Sequence, residues 1–309
     1  MMQAKHIITA ILLLSCVSLQ ARAQTAGSLS ALSNPNSEEP LEITADETLE
    51  WHRNDLMFIA RGDVSTTQGD VTIKAATQTA NYRETDESGF DIYRLTADDN
   101  VKIISRGNTA TGTRAVYDVD KGVAVMTGDN LKLTSPERVL TANDSFEYYV
   151  ADGRINALGN AVVVQGTDKI RANKMSAILK QNRTTGKREI DKLTADGNVI
   201  ITTATEILKG QRGEYNAATN TAKIIGNVTI TRGPNILSGA QAEVNLTTNV
   251  SKMVGGTGDS GRVSGRFYPG SGDDNDKGTF VTTPAPAPAP QNQNTKPPVK
   301  PKGLMTRPE

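Results

Sequence analysis

Between Pro40 and Gly255, apolar and polar residues alternate with period two, in rows separated by short polar turns. Alternation over four to eight residues is the signal of a half-buried strand. Leu41, Ile43 and Ala45 open the series. Each later unit begins with Gly or Asp, then Asn or Asp, then an apolar run. The clearest cases are Gly62-Asp63-Val64, Asp99-Asn100-Val101, Gly128-Asp129-Asn130-Leu131, Gly159-Asn160-Ala161, Gly197-Asn198-Val199 and Gly226-Asn227-Val228. The intervals of 29 to 38 residues mark a repeat architecture. No long stretch has helical spacing.

The second half of each unit carries rows such as Ile73, Ala75, Ala80, Tyr82 and Ala110, Gly112, Ala115, Tyr117. Their phase changes midway: Ala110 and Gly112 are even, Ala115 and Tyr117 odd. An odd step turns side chains to the wrong face unless the strand bulges or bends there. Each row is therefore expected to turn a corner between two sheets, with Gly at the bend. Asp118 to Gly122 and Asn216 to Asn220 carry turn chemistry, as do 86–89 and 182–186. The expectation is all-β: stacked antiparallel strands in an elongated sandwich, open or V-shaped, lined by Ile, Leu, Val, Ala and Tyr. A stack has two ends, and each uncovered end strand offers unpaired backbone groups.

The flanks differ. Residues 1–23 have a positive start at Lys5, an apolar stretch from Ile7 to Leu19, and the small-x-small sequence Ala21-Arg22-Ala23. That is the pattern of an export signal cleaved after Ala23. A lipoprotein box at Leu13-Leu14-Ser15-Cys16 competes, but the apolar stretch continues past Cys16. Residues 24–39 read as a linker and 256–309 as a Gly/Pro/Lys-rich solvated tail. Asp273 to Asp276 lack the bidentate Glu of a calcium loop.

Composition narrows the chemistry. Lys and Arg number 34 against 34 Asp and Glu, which argues against a nucleic-acid binder. With His6, His52 and Cys16 as the only His and Cys, metal centres and Cys or Ser-His-Asp nucleophiles have almost no material. Cleavage after Ala23 would leave no Cys, so strand pairing must carry the stability. No phosphate loop is present, so no enzyme activity and no cofactor are expected. Asp46, Asp98 and Asp196 recur in Thr-Ala-Asp and could suggest glycoside cleavage. Their regular placement favours caps or turns at row ends. Trp51 and His52 are assigned to a surface turn after the opening strand.

The segment Pro40-Leu41-Glu42-Ile43-Thr44-Ala45-Asp46 is similar to the opening strand of the LptA/OstA family. Gly62-Asp63-Val64 and Thr111-Gly112 through Tyr117 resemble its following strands, and the resemblance spans about 40–255. It implies a β-jellyroll in the periplasm that binds lipopolysaccharide through its lipid A acyl chains. It also implies an inner-membrane partner of LptC type, an outer-membrane translocon of LptD type, and end-to-end stacking of copies. Lipid contacts are then implied at Leu41 and Ile43, at Ile103 and at Tyr117; Ile73, from the first apolar row, completes the candidate set. Each of these can equally be a core side chain. The alternative is a structural or adhesive β-repeat protein that binds no lipid.

Overall fold

The computed structural model describes residues 41–84, 90–105, 107–181, 188–245, 247–248, 250–256 and 261–269. The expected signal segment, the linker, the turns at 86–89 and 182–186, and residues 273–276 lie outside that set. The described residues form eighteen strands and no helix. In chain order the first are β1 (Glu42–Thr44), β2 (Thr48–His52), β3 (Met57–Gln68), β4 (Val71–Arg83), β5 (Asp91–Ser105), β6 (Asn108–Asp118), β7 (Val123–Thr127) and β8 (Leu131–Thr134). Then follow β9 (Val139–Ala142), β10 (Ser145–Tyr149), β11 (Arg154–Gln165), β12 (Asp168–Gln181), β13 (Arg188–Thr202), β14 (Ile207–Asn216), β15 (Thr221–Arg232) and β16 (Asn235–Asn245). The last two are β17 (Val250–Val254) and β18 (Ser264–Arg266), so the sheet runs past residue 255 into the expected tail.

Every ladder is antiparallel, and from β2 to β6 each strand pairs with the next. The long strands each turn a corner. In β3 and β4 the register passes from Arg61↔Thr77 to Val64↔Ala75, three steps against two. That is a β-bulge: one extra residue, a bend and added twist. The bend in β4 is sharp enough for Gln78 Nε2 to donate to the carbonyl of Ile73 at 2.9 Å. Five residues of straight strand would hold those groups about 16 Å apart.

The Gly-Asn rows supply the bend. Positive φ occurs at Gly62 and Asp63, Asp99 and Asn100, Gly159 and Asn160, Gly197 and Asn198, and Gly226 and Asn227. Gly reaches that region freely, and Asn and Asp reach it more readily than other side chains. These pairs lie at the corners inside long strands, not at row starts as the sequence suggested. Gly112 also has a different role from the one expected. Its φ is ordinary, and a Cβ there would meet Met126 Cγ at 2.7 Å and Leu131 Cδ2 at 2.9 Å. Gly112 therefore makes room, while the bend belongs to Asp99 and Asn100 on the facing strand.

A longer repeat overlies the short one. Ile43↔Thr66 in β1 and β3 recurs 97 positions on as Leu140↔Val163 in β9 and β11. The bond from Asp46 N to Gly62 O at 2.7 Å recurs from Asn143 N to Gly159 O at 2.7 Å. So β1–β8 form a first half and β9–β15 a second, with the single strand β15 in place of the short pair β7 and β8, and β16 follows in the place that β9 and β10 hold after the first half. The halves join by strand pairing, β7 with β10 and β8 with β9. One buried cluster runs from Ala75 and Val101 through Met126, Phe146 and Met175 to Val244.

Gly62→Ala should destabilise the protein by about 1–3 kcal/mol, because Ala strains at positive φ. Its Cβ would also press on Glu47 N at 2.8 Å. Urea unfolding checks it: the midpoint should fall with the slope unchanged.

Candidate functional site

The five predicted contact residues come together. Leu41, Ile43, Ile73, Ile103 and Tyr117 line one pocket at the β1–β2 end, with Leu49, Phe58, Ala80 and Leu95 among the other walls. The ladder explains their meeting. Ile43 stands opposite Thr66, Thr66 opposite Ile73, and Ile73 opposite Ile103, so one row crosses β1, β3, β4 and β5. Tyr117 lies beyond the corner in a second row, between Leu95 and Ala124. Bending brings the two rows face to face as opposite walls. Ile43, Ile73 and Ile103 are half-buried, whereas Tyr117 is 7% exposed and packs into the wall.

The pocket exists because the stack ends here. Among the described residues β1 and β2 have ladders with β3 alone. Leu49 on β2 is accordingly 62% exposed, although it faces Ala60 and the interior row. The cavity measures about 60 Å³, room for a few water-sized groups. A chain of a dozen carbons is larger than this space.

One polar contact crosses the apolar walls. Thr66 Oγ1 donates to Gln78 Oε1 at 2.7 Å, and Gln78 Nε2 donates to Ile73 O and, at 3.3 Å, to Val64 O. Thr66 is buried, so these partners satisfy groups that could not otherwise be tolerated there. Neither residue stood out in the sequence; the polar break in an apolar row becomes visible only once the register is known.

Trp51 and His52 lie in β2, not in a turn. Trp51 pairs with Phe58 and stacks on its ring at 5.5 Å between centroids, while its Nε1 donates to Tyr82 OH at 2.8 Å. Phe90 meets Trp51, Phe58 and Tyr82 edge-on, so four aromatics cluster around Phe58, which lines the pocket. His52 Nε2 lies 2.7 Å from Glu50 Oε2, and that hydrogen bond holds the Glu50 carboxyl below its usual range.

Of the Thr-Ala-Asp carboxylates, Asp46 lies at a row end as expected, in the bend between β1 and β2, and the other two do not. Asp98 and Asp196 sit inside β5 and β13 just before the corners, facing Arg114 at 2.7 Å and Arg212 at 3.2 Å. Among the described residues no group of three His, Asp or Glu side chains could hold a metal ion.

The sequence matches the family described as "LptA/(LptD N-terminal domain) LPS transport protein" twice, over residues 42–154 and 141–250. The protein belongs to that family, whose business is lipopolysaccharide transport and not catalysis. The two matches follow the two structural halves. No curated protein matches the sequence. Among solved structures the chain is similar to LptH, the LptA homologous periplasmic component of the conserved lipopolysaccharide transport device from Pseudomonas aeruginosa. The identity is 13%, with 75% of this chain and 97% of that chain covered. The TM-score is 0.19.

Away from the pocket, one carboxylate is buried without full compensation. Glu206, in the turn between β13 and β14, is 4% exposed and faces Arg232 at 3.9 Å, and its Oε2 has no hydrogen-bond partner. Burial pushes its carboxyl above the usual range, with Arg232 opposing. A carboxyl raised in the folded state favours folding while protonated, and that contribution is lost as pH rises through the folded value. Glu206→Gln should therefore unfold at a higher temperature than the parent above neutral pH, and the gap should vanish near about pH 4. Thermal melts across pH check this; a gap independent of pH would refute it.

Proposed function

We infer that this protein is a periplasmic carrier that shelters the acyl chains of lipopolysaccharide between its two sheets, and passes the lipid from an inner-membrane export component of LptC type to an outer-membrane translocon of LptD type. The observation that carries the reading is the row Ile43, Ile73, Ile103 facing Tyr117 at an uncovered strand edge, within a chain of the transport family.

Exposing a chain of about twelve methylenes to water costs on the order of 10 kcal/mol. A carrier must offset that cost along its length and still release the lipid. Continuous rows of moderate side chains meet both needs better than one deep pocket. Thr, Lys, Asp and Asn on the outer faces leave sugars and phosphates in solvent. An export signal cleaved after Ala23 would deliver the chain to the periplasm.

The joint between the halves supports stacking of copies end to end. There, β9 and β10 extend the strands before them by backbone pairing, and β1 and β2 are their counterparts at the start of the chain. A second copy brought to that edge would continue the same ladder.

Replacing Ile73 by Asp should lower capture of purified lipopolysaccharide by at least about tenfold, since an unpaired carboxylate is costly in an apolar wall. Co-purified lipid, with circular dichroism as a folding control, measures it. Normal capture would favour the lipid-free β-repeat reading. In cells depleted of the protein, pulse-labelled lipopolysaccharide should accumulate at the inner membrane; unimpeded arrival at the surface would count against transport.

A further inference from the structure

One outward-facing row of the ladder carries a single sign of charge. It crosses the strands from Thr44 on β1 to Ser264 on β18, each residue standing opposite the next. Lys74, Lys102, Lys132, Arg171 and Lys209 lie in it, all exposed, and no carboxylate does. Apart from Val162 and Ile200, the other places are Thr or Ser. At the usual strand spacing the five cations extend over roughly 40 Å from β4 to β14.

This arrangement costs stability locally. Lys74 and Lys102 stand directly opposite each other, and like charges so placed repel. Beyond the corners the same strands avoid that cost. There Asp98 lies 2.7 Å from Arg114, Asp196 3.2 Å from Arg212 and Glu243 3.6 Å from Lys223. Among the described residues none of the five row cations has an ion-pair partner. The chain as a whole balances 34 Lys and Arg against 34 Asp and Glu, so the segregation belongs to this face.

The row also backs onto the apolar interior. Lys74 follows Ile73, Lys102 precedes Ile103, Lys132 precedes Leu133, Arg171 follows Ile170 and Lys209 follows Leu208. Successive side chains in a strand point to opposite faces. Ile73 and Ile103 line the pocket, while Ile170 and Leu208 belong to the buried cluster, with Leu133 packed against it. One wall therefore carries an apolar line inside and a cationic line outside, both running across the strands in the same direction.

We propose that the outward row is a binding track for the phosphorylated oligosaccharide of the lipid whose acyl chains lie inside. The ligand rests on the acyl-carrier reading; the site is a separate one on the opposite face of the wall. Cations in single file, spaced by hydroxyls, match a chain-like ligand that presents phosphates between sugar hydroxyls. A bilayer surface spreads its charge over an area and would call for cations in the adjoining rows as well. The next row toward the strand ends has only Lys169 and Arg266, and it contains the acid Glu42. Each exposed charge contact is weak, so a series of them holds a phosphate without trapping it. The headgroup can then step from cation to cation as the acyl chains advance.

The test uses the full mature chain and lipopolysaccharide stripped of its acyl chains by alkali, which keeps the phosphates. The variant carries Lys74→Gln, Lys102→Gln, Lys132→Gln and Lys209→Gln, with circular dichroism as the folding control. Titration at low salt should show binding to the parent, and at least about tenfold weaker binding to the variant. Ile73→Asp should bind this probe as the parent does, because the probe makes no demand on the trough. Equal binding by parent and variant, or none by the parent, overturns the track and leaves the carrier reading to its own test with intact lipid. Vesicles of phosphatidylglycerol provide the last arm. If the four substitutions abolish vesicle binding and leave oligosaccharide binding unchanged, the row is a membrane-facing surface and the proposal fails.

Discussion

A strand that must present apolar side chains to two facing sheets has to gain a residue where it bends. With a side-chain period of two, a bend without that residue would turn the second half of each row outward. Here the extra residue sits beside a Gly or Asp followed by Asn or Asp at positive φ, at Gly62, Asp99, Gly159, Gly197 and Gly226. Facing strands meet the need by close approach, as at Gly112 against Met126 and Leu131. The trough follows from this device. Remove the bulge and the row Ile43, Ile73, Ile103 no longer shares an interior with Tyr117.

The second constraint is that a stack of strands has ends. In the interior each strand is held on both flanks, and cross-strand neighbours fill the space with a mixture of large and small side chains, as in Met126, Phe146, Ala157, Met175 and Ala195. Among the described residues β1 and β2 pair on one flank alone, with β3. The same side-chain positions then leave Leu49 in solvent and a cavity behind it. The difference between core and candidate site is thus set by position in the stack as much as by residue type. That is why Ile73 and Ile170, identical side chains in equivalent registers, have different surroundings.

Much of this was legible in the sequence, for a physical reason. Alternation and Gly-Asn rows are local signals, and the phase change between Gly112 and Ala115 announces a corner without any long-range knowledge. The five contact candidates also meet in one pocket. The placement of the bend within each row was not legible, because Gly-Asn reads equally well as the start of a strand. Trp51 and His52 look like a surface turn until their pairing with Phe58 and Met57 is known. The 97-residue repeat was masked by the shorter one, although Leu95-Thr96-Ala97-Asp98 and Leu193-Thr194-Ala195-Asp196 carry it openly. Thr66 and Gln78 could not be found at all, since their significance lies in facing one another across a corner. Strand β18 was hidden by the Gly-rich stretch before it.

The end that admits a guest should also be the weakest part of the fold, and its ladders say so. β1 holds β3 through three register pairs and β2 through five, whereas β12 and β13 share eleven. Local opening costs least where few contacts cross. A carrier gains from having that weakness at one end. Spread along the stack, it would expose apolar rows to water everywhere and invite association between edges. Confined to β1 and β2, it leaves the rest of the ladder to hold the shape while one mouth opens.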